Sequence, residues 1–166
     1  MRNALVGCNL KDRVRLGASG KVHSGAGMAR AYALGADWCN AARAFMFSLG
    51  CVQSMQCHTG ECPTGVATQL AWRQKGLVVD DKAERVARFQ KETVNALREI
   101  VVAMGYDSPW DLNQHDTYQR IDSAKAGPLD EVYGFLKPGE LIGDPDATNY
   151  AHAWRVASAG TFRRVN

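Results

Sequence analysis

The chain has 166 residues, 46% of them hydrophobic and 22% charged, which is the composition of one ordinary globular domain and excludes a disordered or fibrous chain. A net charge of +3 is too mild to predict nucleic acid as a partner. No apolar run approaches the ~18 residues of a membrane span, and the start Met1–Gly7 is too weakly apolar for a signal peptide, so a soluble, cytoplasmic chain without membrane contact is expected.

Val14–Leu16 is a short apolar run and predicts a strand that ends in the loop Gly17-Ala18-Ser19-Gly20. Residues 26–34 are good helix formers stopped by Gly35. Asp37-Trp38-Cys39-Asn40 predicts a second short strand, and residues 41–49 another helix stopped by Gly50. Strand, loop and helix repeated twice is the order of parallel α/β folds. Residues 51–66 mix cysteine, glycine, proline and histidine and read as a loop; residues 65–74 read as helical again. The longest helix is expected over 82–104, capped by Asp80 or Asp81 with Glu84 completing a capping box. Its apolar stripe is Ala83, Val86, Val94, Leu97, Val101 and Met104. Ser108-Pro109-Trp110-Asp111 opens a short helix with serine as cap and proline in the first turn. Residues 116–126 are expected to be helical, 138–139 and 143–145 to turn, and the end to run extended over a partner surface.

The pattern divides near residue 77. Residues 1–77 are α/β in character, and almost everything in 78–166 reads as helix or loop. Residues 1–77 hold nine Lys/Arg against three Asp/Glu, and residues 78–166 eleven against fourteen. A basic first part suits an anionic ligand such as phosphate; a chance spread of surface charge explains the imbalance equally well. His23, His115 and His152 read as isolated surface or loop residues. Trp72, Trp110 and Trp154 read as packing anchors, and Met28, Met46 and Met104 as core. The alternating charges of 82–98 read as a solvated helix face.

Five cysteines in a chain expected in the cytoplasm favour thiols, metal or catalysis over a disulfide framework. Cys51, Cys57 and Cys62 crowd into one stretch spaced Cys-x5-Cys-x4-Cys, with Pro63 directly after. A tetrahedral zinc site wants four ligands at short spacing, and a fourth would have to be His58, Cys8 or Cys39. Three thiolates without an obvious fourth ligand suit a cluster of three irons, one thiolate each. Three ordinary buried cysteines are the competing reading, and a Cys57–His58 nucleophile is a poorer one, since adjacent side chains rarely face each other in that geometry.

Gly17-Ala18-Ser19-Gly20-Lys21 and Asn40-Ala41-Ala42-Arg43 each stand between a strand and a helix. Small residues let backbone N–H groups approach a phosphate, and each loop adds one cation. Two such adjacent units match the phosphate site after the last two strands of a (β/α)8 barrel. Neither loop is a Walker A sequence.

These residues resemble a known family. Val14–Lys21, Leu34–Arg43, Gly50-Cys51, Cys57-His58-Thr59 and above all Cys62-Pro63-Thr64-Gly65-Val66-Ala67-Thr68-Gln69 are similar to the C-terminal part of the FMN-binding synthase domain of glutamate synthases. Residues 81–86 and 103–106 resemble its trailing helices. The resemblance implies the last two strand–helix units of a (β/α)8 barrel, then an iron–sulfur loop and a mainly helical tail. It implies barrel and cluster loop in 1–77 and a helical extension packed on the barrel in 78–166. It implies FMN phosphate on Ser19, Gly20, Lys21, Ala41, Ala42 and Arg43, and a [3Fe–4S] cluster on Cys51, Cys57 and Cys62. The implied activity is reductive amination of 2-oxoglutarate to L-glutamate, with ammonia or glutamine as nitrogen source and an NADPH-linked subunit or ferredoxin as electron donor. The other six strand–helix units, with the 2-oxoglutarate site, are expected upstream of Met1, on a partner or a longer chain. The isolated chain is then expected to be poorly stable. Its alternatives are an inactive fragment and a small iron–sulfur electron-transfer module without FMN.

Overall fold

The structure is a computed structural model, and it describes residues 1–161. Helix α1 (Arg2–Gly7) leads into strand β1 (Gly17–Ser19), helix α2 (Gly25–Ala33), strand β2 (Trp38–Asn40) and helix α3 (Ala42–Ser48). The two strands pair in parallel, with Gly17 opposite Trp38, Ala18 opposite Cys39 and Ser19 opposite Asn40. This is the strand–helix–strand–helix order the sequence predicts. The first strand is shifted, however: it is the small-residue run Gly17-Ala18-Ser19, and Val14–Leu16 only leads into it. At Gly17 the indole of Trp38 lies where a side chain would stand, 2.6 Å from an added Cβ, so the strand opens on a glycine.

Asp37 fixes the entry to both strands. Its carboxylate accepts from the Leu16 N–H at 2.6 Å, from Lys11 Nζ at 3.0 Å and from Arg15 Nη1 at 3.2 Å. The Leu16 amide, with the two cations, holds this carboxyl below its ordinary pKa. Its own carbonyl accepts from the Trp110 indole N–H at 3.0 Å.

Helix α4 (Ala71–Gln74) is the short remnant of the helix expected over 65–74; residues before it form turns. Helix α5 (Val79–Ala103) begins three residues earlier than predicted. Val78 therefore occupies the cap position without a side-chain hydrogen bond, and Asp80 and Asp81 fall inside the first turn. There they favour the helix dipole instead of forming the expected capping box. Leu97 and Val101 of the predicted stripe are buried, while Val94 stays exposed.

Helix α2 lies on α5. Ser24 caps α2 by accepting from the Gly27 N–H at 3.2 Å. Gly25 lets the backbones meet, since an added Cβ would stand 2.6 Å from the Ala96 carbonyl carbon. Ala29, Ala33, Leu97, Val101, Leu112 and Leu129 form the buried cluster, with Met28 and Met104 packed against it. The Ser108 cap is present as a full capping box with Asp111, on a 3-10 turn over Pro109–Asp111. Trp110 and Trp72 are anchors only at their edges: both are mostly exposed, with Trp110 edge-on to Tyr32 and the Arg73 guanidinium over Trp72.

Two expectations for the later residues fail. Residues 116–126 are not helical: β3 (Tyr118–Arg120) and β4 (Ala126–Pro128) form an antiparallel hairpin. Asp122 closes its turn by accepting from the N–H groups of Ala124 and Lys125, both at 2.8 Å. Nor is the end simply extended. After α6 (Leu129–Tyr133) and α7 (Glu140–Gly143) comes α8 (Ala151–Val156); residues 162–166 of the expected extended end lie outside the described residues. No helix among the described residues is long and apolar enough to cross a membrane.

Candidate functional site

The parallel pairing places the C-terminal ends of β1 and β2 side by side, Ser19 opposite Asn40. The chain leaves both strands in the same direction, so the two following loops form one wall. Between them lies a cavity of about 650 Å³, within the range of small-molecule sites. All six residues predicted for an anion, Ser19, Gly20, Lys21, Ala41, Ala42 and Arg43, line it. Val22, His23, Asn40, Ala44, Phe47 and Gln53 complete the lining.

The electrostatics of this cavity have one sign. Lys21, His23 and Arg43 line it, and no Asp or Glu does. Among the described residues, Lys21 and Arg43 take part in no ion pair. Helix α3 opens at the same place. Its cap residue Ala41 offers no side-chain acceptor, so first-turn N–H groups are left for a ligand or water. An anion with several acceptor oxygens satisfies these donors and neutralises the two cations. Sequence reasoning took His23 for an isolated surface residue and passed over Gln53. His23 stands two residues after Lys21 on the same loop, which was a usable signal. Nothing in the sequence marked Gln53.

The cysteine loop follows α3. All five cysteines are free thiols. Cys51 is half-buried, Cys57 is exposed on a 3-10 turn over Cys57–Thr59, and Cys62 is buried. Cys62 is the chemically distinct one. Its sulfur stands 3.4 Å from the Thr64 hydroxyl. That hydroxyl, then the N–H groups of Ala67, Thr64 and Val66, pull the thiol down to about 7. The turn that supplies these donors is seated on α4. Gly65 lies against the Arg73 carbonyl, and Gln74 donates its carboxamide N–H to the Thr68 carbonyl at 2.9 Å.

A thiolate surrounded by backbone N–H groups is the donor chemistry that an iron–sulfur ligand uses. The three cysteines share one loop, and among the described residues no three His, Cys, Asp or Glu side chains, these cysteines included, are brought together as a metal site. Among the described residues no hydrogen bond joins the Cys57 and His58 side chains, which stand on the 3-10 turn over Cys57–Thr59.

Comparisons with known proteins converge on one family. The profile described as a conserved region in glutamate synthase matches residues 1–107, well over half of the chain. The chain is 38% identical over 116 residues to the glutamate synthase large subunit-like protein YerD of Bacillus subtilis, covering 69% of this chain and 22% of that protein. It is 35% identical over 99 residues to an archaeal glutamate synthase [NADPH] of Methanocaldococcus jannaschii, covering 60% of this chain and 19% of that protein. Over 144 residues it is 32% identical to ferredoxin-dependent glutamate synthase 2, chloroplastic, of Arabidopsis thaliana, covering 85% of this chain and 8% of that protein. The chain thus spans less than a quarter of the length of each of these relatives.

Proposed function

The chain belongs to the glutamate synthase family, and on that premise we propose that it carries the part of such an enzyme that holds the flavin phosphate and the iron–sulfur cluster. In this reading β1–α2 and β2–α3 are the last two strand–helix units of a (β/α)8 barrel, the fold in which loops after the final strands bind phosphate. One observation carries the proposal: the single-signed cavity is lined by all six residues that the family resemblance assigns to the FMN phosphate.

Lys21 and Arg43 neutralise the phosphate charge, and the backbone N–H groups of Ser19, Gly20, Ala41 and Ala42 donate to its oxygens. Holding that end fixes the reach of the rest of the cofactor. Cys51, Cys57 and Cys62 supply one thiolate to each of three irons. The donors around Cys62 lower its thiol to about 7, so that a large fraction is thiolate near neutral pH. When bound, FMN supplies hydride chemistry and a [3Fe–4S] cluster supplies single electrons for the reductive amination of 2-oxoglutarate to L-glutamate. The nitrogen comes from ammonia or glutamine, and the electrons from an NADPH-linked subunit or ferredoxin.

Equilibrium binding of FMN and riboflavin tests the cavity, because the two differ by the phosphate alone. FMN is expected to bind more tightly, and Lys21→Ala or Arg43→Ala to weaken FMN by about tenfold each while leaving riboflavin unchanged. Equal affinity for the two flavins, or unchanged FMN binding in both variants, overturns the assignment.

A further inference from the structure

Two features that the sequence presents as separate meet in the structure. One is the anion cavity between the β1 and β2 loops. The other is the cysteine loop, which leaves α3 at Gly50. Gln53 belongs to the second and lines the first. It stands between Cys51 and Cys57, and its exposed carboxamide makes no hydrogen bond with another described residue. Gln53 therefore brings a carboxamide with two N–H donors to the lining that Lys21 and Arg43 share.

The backbone there is also unusual. Among the described residues, four that are not glycine hold left-handed backbone, Asn9, Lys21, Gln53 and Met55. Two of these, Lys21 at φ 56 and Gln53 at φ 55, line this one cavity. A side chain in that region persists where its surroundings or a ligand compensate for the strain. An anion held in the cavity would be such a compensation for Lys21. Gln53 has none within the described chain, and the same anion supplies one.

We propose that Gln53 is a positioning residue that ties the cysteine loop to the occupant of the cavity: its carboxamide N–H donates to a phosphate oxygen held by Lys21 and Arg43, and the bound phosphate thereby orders the loop that carries Cys51, Cys57 and Cys62. This rests on the reading of the cavity as the FMN phosphate site. It adds that phosphate occupancy is felt at the thiols. A loop tethered at Gln53 opens less often, and exposed Cys57 is then less reactive.

The test uses the full chain, reduced and freed of iron, with FMN and riboflavin as probes. Alkylation of Cys57 is followed by peptide mass mapping alongside equilibrium flavin binding. FMN should slow Cys57 alkylation by about tenfold in the wild type, and riboflavin should not. Gln53→Gly removes the carboxamide while relaxing the left-handed backbone, so the fold is kept. It should weaken FMN by about tenfold and abolish the FMN-dependent protection, read as the ratio of Cys57 alkylation with and without FMN in the same variant. Gln53→Glu turns an acceptor-only anion toward the phosphate and should weaken FMN further than Gln53→Gly. Loss of FMN protection in Gln53→Gly with riboflavin binding kept is the readout that a purely structural role for Gln53 would not produce. FMN protection undiminished in Gln53→Gly, or equal affinities of the Gly and Glu variants, overturns the inference alone. Failure of the wild-type chain to bind FMN overturns the cavity reading and the inference with it.

Discussion

Gly60 and Gly65 flank the buried Cys62, and substituting each by alanine separates two physical effects. Both hold left-handed backbone, at φ +76 and +79. An L side chain in that conformation costs about 1–2 kcal/mol. Around Gly60 no atom lies within 4 Å of an added Cβ, so strain is the whole effect. At Gly65 the added carbon collides with the Arg73 carbonyl oxygen, 3.2 Å from its carbon and 3.5 Å from Gln74 Cα. These are backbone atoms of α4 and cannot swing aside as a side chain would. Overpacking adds about 1–3 kcal/mol, so Gly65→Ala should destabilise its turn by about 2–5 kcal/mol in all. Native-state hydrogen exchange over peptides covering 57–76 reads this directly, since every 1.4 kcal/mol is tenfold in the opening equilibrium. Gly60→Ala should accelerate exchange by about 5–30-fold and Gly65→Ala by about 30-fold or more. The Cys62 thiol in Gly65→Ala should also titrate higher, because the turn that aims the Thr64, Val66 and Ala67 N–H groups at its sulfur is displaced. Equal exchange in the two variants, or an unshifted Cys62 in a displaced turn, would refute this account of the loop.

Further outcomes follow from the same geometry. Because the Leu16 N–H, Lys11 and Arg15 depress the Asp37 carboxyl, its stabilising effect is complete above the ordinary carboxylate range and is lost as pH falls through the depressed value. Urea unfolding should therefore show wild type more stable than Asp37→Asn at neutral pH, with the gap closing in acid; a constant gap contradicts the role. Gly25→Ala should destabilise the α2–α5 crossing by about 1–3 kcal/mol or more, read as a lower urea midpoint, since the added methyl meets the backbone of Ala96 and Leu97. Cys57→Ser should leave the purified chain without iron or acid-labile sulfide; normal iron content in that variant sinks the ligand assignment.

How much of this was legible beforehand depended on punctuation. Gly35 and Gly50 stop α2 and α3 where the sequence places them, and the parallel α/β order followed from the alternation they create. The position of β1 did not, because Gly17-Ala18-Ser19 has the residues of a loop and becomes a strand through its parallel pairing with β2. The β3–β4 hairpin was hidden by polar residues without alternation, and the long-range contacts of Gln119 and Tyr133 with Arg30 hold it in place. Asp122-Ser123 was the available turn signal. At the site, the small residues and cations of two separate loops were readable one by one, and the parallel register then brought them together. Gln53 was not readable, because its place depends on the path of an irregular loop.

The central claim is that Cys51, Cys57 and Cys62 hold a three-iron cluster beside a flavin phosphate site. Electron paramagnetic resonance of the anaerobically purified, then mildly oxidised chain tests it most directly. The near-isotropic signal of an oxidised [3Fe–4S] cluster is expected, and it should be lost in Cys57→Ser. A silent spectrum from a chain free of iron and sulfide, or one carrying stoichiometric zinc, contradicts it.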